Sequence, residues 1–218
     1  MSQRRRTAIL ISGRGSNMAA LLAAAADPAY PAEIALVLSN RADAAGLARA
    51  AEAGIPTVVV ESRRFGKDRA GFEAAMEAEL AAHGIGLIAL AGFMRVLTEG
   101  FTRRWSGRML NIHPSLLPAF PGLDTHAHAL AAGVRLHGCT VHLVTPGVDE
   151  GPIVAQAAVP VLAGDTEETL AHRVLAEEHR LYPAALGWLA SGRLRLQEGR
   201  AVVDPAPGPS GESLRNPG

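Results

Sequence analysis

Ala8-Ile9-Leu10-Ile11-Ser12-Gly13-Arg14-Gly15-Ser16-Asn17 joins an unbroken apolar run to a glycine-punctuated turn, and residues 17–26 after it read as a helix. An apolar run without alternation is the pattern of a strand buried on both faces. The pattern recurs outward along the chain. Ile34-Ala35-Leu36-Val37-Leu38 reads as a strand, and residues 44–53 as a helix closed by Gly54 and Pro56. Thr57-Val58-Val59-Val60 is a third strand, residues 69–82 a further helix, and Leu87-Ile88-Ala89-Leu90-Ala91 a fourth strand. Strands alternating with helices predict an α/β, Rossmann-like, doubly wound and mostly parallel sheet.

The second half is less regular, which predicts a mixed sheet there. Residues 108–113 read as a strand stopped by Pro114, and residues 139–144 and 153–161 as two more. Residues 166–189 contain a long helix opened by a capping box at Thr166 with Glu168 or Thr169, with Pro183 inside it as a candidate bend. The expected organisation is one domain over 1–203, its halves at about 7–105 and 106–203. The tail 204–218, rich in Pro, Gly and Ser, has no periodicity and is expected to be disordered.

Composition narrows the function classes. Hydrophobic residues make up 48% of the 218, enough for a full core without metal or disulfide staples. Lys+Arg and Asp+Glu are both 21, so no global field attracts nucleic acid or an anionic membrane, and 4% aromatics leave little for base stacking. No apolar run reaches the ~18 residues of a membrane helix. The single cysteine, Cys139, has no internal disulfide partner and sits in an apolar run, so it reads as core, in a reducing cytoplasm.

Three constellations could carry chemistry. Ser12-Gly13-Arg14-Gly15-Ser16-Asn17 sits between a strand and a helix N-terminus, where free N–H groups and the helix dipole favour a phosphate. It lacks the third glycine of a dinucleotide fingerprint and the lysine of a Walker loop. The bland alternative is a tight turn with Ser16 as helix cap. Asn111-Ile112-His113-Pro114 places two polar side chains on one strand face at its carboxyl end, a donor pair suited to a developing oxyanion. The alternative is a structural histidine. Val148-Asp149-Glu150-Gly151-Pro152 offers an aspartate able to orient an imidazole, or simply an acidic turn. His126, His128, His137 and His142 show no metal-ligand spacing, so no metal site is read there, and loop polarity and core packing account for them.

Taken together, these segments resemble the glycinamide ribonucleotide formyltransferase family. The resemblance rests on Gly15-Ser16-Asn17, Leu90-Ala91-Gly92-Phe93-Met94-Arg95-Val96-Leu97, Asn111-Ile112-His113-Pro114-Ser115-Leu116-Leu117-Pro118 with Pro121-Gly122-Leu123, Val148-Asp149-Glu150-Gly151-Pro152-Ile153, and Glu177-Glu178-His179-Arg180-Leu181-Tyr182-Pro183. It spans about 7–199. Asp124, where a histidine is common, and Pro146-Gly147 depart from the family pattern.

The resemblance implies the formyltransferase fold and transfer of a formyl group from 10-formyltetrahydrofolate to the amine of glycinamide ribonucleotide in purine biosynthesis. It implies Asn111, His113 and Asp149 as catalytic residues. It places the substrate phosphate on Gly15, Ser16 and Asn17, and the ribose on Glu178. The folate pocket falls on Met94, Arg95, Val96, Leu97, Asn111, Thr145, Val148 and Asp149, with Arg69 as an outlying folate contact. No metal is implied, nor a nucleic-acid or membrane partner, and the expected state is monomer or homodimer. Methionyl-tRNA formyltransferase and formyltetrahydrofolate hydrolase share the central motif, but each normally carries an additional domain for which this length leaves no room.

Overall fold

Nine strands, six α-helices and one short 3-10 helix (Ser62–Phe65) make up the fold in a computed structural model that describes residues 3–204. The tail that sequence expects to be disordered falls, apart from Asp204, outside the described residues. The apolar runs form β1 (Arg5–Ile11), β2 (Ala32–Ser39), β3 (Thr57–Val59) and β4 (Leu87–Leu90), all parallel. β5 (Met109–His113) continues the parallel set beside β4. β6 (Leu136–Leu143) and β7 (Ile153–Pro160) then pair antiparallel, completing a seven-stranded sheet of order β3-β2-β1-β4-β5-β6-β7. This is the doubly wound, mostly parallel sheet with a mixed end that the sequence predicts.

Period-two alternation divides the core between the sheet's faces. Ile9 and Ile11 pack with one buried cluster, alongside α1 (Ser16–Ala25) and α6 (Glu167–Ala190). Ala8 and Leu10 pack with the other, beside α3 (Arg69–Ala82) and α4 (Glu99–Arg104). α2 (Gly46–Glu52) and α5 (Thr125–Ala131) join the first cluster through Ala50 and Ala129, and a hairpin of β8 (Leu194–Gln197) and β9 (Arg200–Val203) follows α6. Cys139 is fully buried, and burial pushes its thiol up to about 12, as a core residue requires.

Several expectations need correcting. β3 is not buried on both faces. It forms the sheet edge, stops at Val59, and leaves Thr57 and Val59 exposed. Ser16 does not cap α1. It is the first helical residue, while Gly15 takes the cap position in the left-handed region at φ 71 without a side-chain cap. The strand expected at 139–144 begins three residues earlier, because Leu136, His137 and Gly138 also pair with β7. The capping box of α6 uses Thr166 with Thr169, not Glu168. Pro183 lies inside α6, and its carbonyl accepts a hydrogen bond from the Tyr30 hydroxyl at 2.6 Å.

Strand order reverses at β1, which has β2 on one side and β4 on the other. In such sheets ligands bind beyond the carboxyl ends of the strands at that reversal. Here those ends are Ser12 onward and Ala91 onward.

Candidate active site

An open cavity of about 790 Å³ lies at this reversal, lined by Ser12–Asn17 of the first turn, by Asn40, Arg41 and Arg63, and by Gly92, Met94 and Arg95. Gly15 in its left-handed conformation turns the chain into α1. The first N–H groups of any α-helix have no intrahelical acceptor, so those of Ser16 and Asn17 are available at the cavity. Across the fold, α6 brings Glu178 to the same place. Asn17 Nδ2 donates to Glu178 Oε2 at 2.7 Å, although the two are 161 residues apart. Burial raises the Glu178 carboxyl above its usual range, with the Asn17 hydrogen bond opposing it. Asn17 Oδ1 is buried without a protein partner.

The second constellation converges on Asp149. His113, at the end of β5, places Nδ1 3.3 Å from Asp149 Oδ2 and Nε2 3.0 Å from the carbonyl oxygen of Phe120. Both ring nitrogens therefore face acceptors. A doubly protonated ring satisfies both contacts, a neutral one only one. Asp149 also accepts the Gly122 N–H at 2.9 Å. Burial pushes the Asp149 carboxyl up, but the His142 ring, the Gly122 N–H and the charge of His113 act together against it. The net result lies below the usual carboxylate range.

Asp149 sits at φ 57, and Phe120 and Asp124 both at φ 53, in the left-handed region that non-glycine residues seldom adopt. Three such residues on two loops that meet at His113 mark a site held in shape by its surroundings.

His142 is the residue that sequence reasoning missed. Read as a packing residue, it is 2% exposed, yet its Nε2 lies 3.1 Å from Asn111 Nδ2 and 3.7 Å from Asp149 Oδ1. The cause is register: antiparallel pairing sets Asn111 opposite His142. Period two from Cys139 would have put His142 on a face, but only the β5–β6 register could say which. Replacing His142 by Leu should strand the Asn111 amide and lower kcat about tenfold or more, as for a buried polar group left unpaired. Steady-state kinetics would test it, and unchanged kcat would make His142 a packing residue after all.

The third group, residues 94–97, runs along the cavity mouth. Met94 and Val96 are 65% and 59% exposed, whereas Leu97 is buried in the core. Leu97 thus anchors the segment and offers only backbone to a ligand. Thr98 fixes the end of the segment, its N–H donating to buried Glu73 of α3 at 2.6 Å. Arg69, at the start of α3, donates to the Val96 carbonyl at 2.7 Å, so it does reach this segment. Leu123, Val148 and Ile153 are further exposed apolar side chains on the strand and loops flanking Asp149. Among the described residues no group of three or more His, Cys, Asp and Glu side chains converges as a metal site would, and no helix is long and apolar enough to cross a membrane.

The family model described as formyl transferase matches residues 5–186, most of the chain. The chain belongs to the formyl transferase family. Among its formyl transferase relatives, phosphoribosylglycinamide formyltransferase of Escherichia coli (strain K12) is 43% identical over 196 residues, covering 90% of this chain and 92% of that protein. The trifunctional purine biosynthetic protein adenosine-3 of Bos taurus is 50% identical over 193 residues, but the chain spans only 19% of that longer protein. The crystal structure of glycinamide ribonucleotide transformylase 1 from Symbiobacterium toebii superposes with a TM-score of 0.89 at 47% identity, covering 93% and 95% of the two chains. The cavity and the Asn111–His113–Asp149 cluster thus lie within the span that the formyl transferase model matches.

Proposed function

We propose that this formyl transferase is a phosphoribosylglycinamide formyltransferase of the cytoplasm, moving the formyl group of 10-formyltetrahydrofolate onto the amine of glycinamide ribonucleotide. The observation that carries this reading is the clustering of His113 with Asp149, and of Asn111 with His142, at the carboxyl end of β5. That strand pairs in the sheet with β4, whose following residues Ala91, Gly92, Met94 and Arg95 line the cavity together with the helix N-terminus at Ser16 and Asn17. A tethered phosphate and a formylated nitrogen need those two linings, and acyl transfer needs donors near them.

In this assignment the N–H groups of Gly15, Ser16 and Asn17 take the phosphate, and Glu178 accepts from the ribose hydroxyls. The flat pterin lies against the backbone of residues 94–97, closed over by the loop carrying Thr145, Val148 and Asp149. Arg69 meets the distal end of the folate. The substrate amine attacks the formyl carbon, forming the new C–N bond and a tetrahedral oxyanion. Asn111 donates to that oxygen, and His113, held against Asp149, donates to it or passes on a proton.

Both groups already have protein contacts, His113 Nε2 at 3.0 Å from the Phe120 carbonyl and Asn111 Nδ2 at 3.1 Å from His142 Nε2. Substrate therefore exchanges one hydrogen bond for another instead of leaving an open one. As the C–N10 bond breaks, the proton lost by the amine reaches N10, relayed through Asp149 and water. No covalent enzyme intermediate is needed. Each donor in such a site is worth on the order of 3 kcal/mol, or at least about a hundredfold in rate.

The test offers 10-formyltetrahydrofolate with three acceptors in turn: glycinamide ribonucleotide, charged methionyl-tRNA and water. Formylglycinamide ribonucleotide is the expected product. Deformylation to formate, or formylation of the tRNA alone, would overturn the reading.

A further inference from the structure

Ser12 belongs to neither substrate's contact set in the assignment above, yet it grips the segments of both. Its N–H donates to the carbonyl of Gly92 at 3.1 Å, and its Oγ accepts the N–H of Met94 at 2.7 Å. The turn at Gly92 (φ 70) is thus held from both sides by one residue. The Ser12 hydroxyl in turn donates to Asn40 Oδ1 at 2.6 Å, and Asn40 Nδ2 donates to Ser62 Oγ at 3.2 Å. Ser12 and Asn40 are both buried. The residue after Ser12 opens the phosphate turn, and Gly13 is itself fixed by the Gly46 N–H donating to its carbonyl at 3.0 Å. One chain of polar groups, buried at Ser12 and Asn40, therefore runs from the folate segment, through the root of the phosphate loop, to the segments after β2 and β3.

We propose, resting on the functional reading above, that Ser12 is a positioning residue that ties the folate segment to the phosphate loop, so that binding of each substrate strengthens binding of the other. Two segments moving independently must each be ordered by their own ligand. When a short buried hydrogen-bonded link joins them, the first ligand orders part of the second site. Such coupling is reciprocal by thermodynamic necessity. Asn40 contributes by holding the hydroxyl hydrogen away from Met94, leaving an oxygen lone pair facing its N–H. A residue that merely satisfied buried polar atoms would affect stability and leave the coupling alone.

The product tetrahydrofolate and glycinamide ribonucleotide cannot react together, which makes them a suitable pair for calorimetry on the full chain. Wild-type protein is expected to bind tetrahydrofolate at least about fivefold more tightly when saturated with glycinamide ribonucleotide. Ser12→Ala, which strands the Met94 N–H, should bind tetrahydrofolate about tenfold more weakly and lose that enhancement. Its affinity for glycinamide ribonucleotide alone should change far less. Asn40→Ala keeps the Ser12 oxygen but frees its rotation, so its enhancement should fall between the two.

Melting temperatures taken alongside separate folding from coupling. Wild-type protein without enhancement, or a Ser12→Ala protein that keeps it whatever its melting temperature, would overturn the proposal. Should the wild type bind neither ligand, the functional reading fails instead, a result that does not resemble either of these.

Discussion

Asp149→Asn is expected to lower kcat by about a hundredfold or more while shifting the affinity for either substrate only a few-fold. The substitution keeps shape and backbone. Asp149 sits at φ 57, and asparagine is among the residues that adopt that region most readily. What is lost is the charge facing His113 Nδ1 at 3.3 Å and the acceptor for a proton leaving the amine. Steady-state kinetics with calorimetric binding reads both quantities, and near-normal kcat would reduce Asp149 to a turn residue.

A pH signature accompanies it. The Asp149 carboxyl is held below its ordinary value, so its interactions stabilise the native state fully above about pH 4, where the unfolded carboxyl ionises. That stabilisation is lost as pH falls through the lowered native value. The stability gap between wild type and Asp149→Asn should therefore be present at neutral pH and shrink on acidification. Urea midpoints at pH 7 and pH 3 would show it.

The central sheet was legible because β1, β2 and β4 are buried on both faces, which forces unbroken apolar runs. Helix α3, expected over about residues 69–82, is bounded where expected: the Asp68 side chain accepts from the Gly71 N–H at its start, and Gly84 follows its end at φ 61. Helices α4 and α5 were not foreseen. At six and seven residues they are shorter than the window in which a 3.6-residue period shows. The β8–β9 hairpin was also missed, though Glu198-Gly199 at φ 49 and 75 is a two-residue turn of the kind that joins tight hairpins.

The site was legible unevenly for a different reason. Asn111 and His113 share a strand face by period two, so their pairing followed from local geometry. The place of Asp149 beside His113, of Glu178 beside Asn17 and of His142 beside Asn111 depends on strand order and helix packing. Local spacing carries none of that. For Asp149 and Glu178 the family resemblance supplied what spacing could not, and for His142 nothing did.

Gly15→Val should raise the dissociation constant of glycinamide ribonucleotide about thirtyfold or more while leaving tetrahydrofolate binding, measured alone, nearly intact. Two effects add. A Cβ at φ 71 costs about 1–2 kcal/mol in a left-handed backbone. That Cβ would also lie 3.0 Å from Met18 Cε and 3.2 Å from Gly46 Cα, and valine's branches reach further. The Met18 terminus can move, but the Gly46 backbone cannot. It opens α2, and its own N–H is committed to the Gly13 carbonyl. The turn must therefore shift outward or unwind the first residue of α1, and either movement re-aims the N–H groups proposed to take the phosphate. The folate segment hangs from Ser12, upstream of the distortion, and from Glu73 and Arg69 on another helix, so it should hold its place. Calorimetry with each ligand separately decides it: equal weakening of both would mean that Gly15 supports the whole cavity and that the phosphate does not sit on this turn.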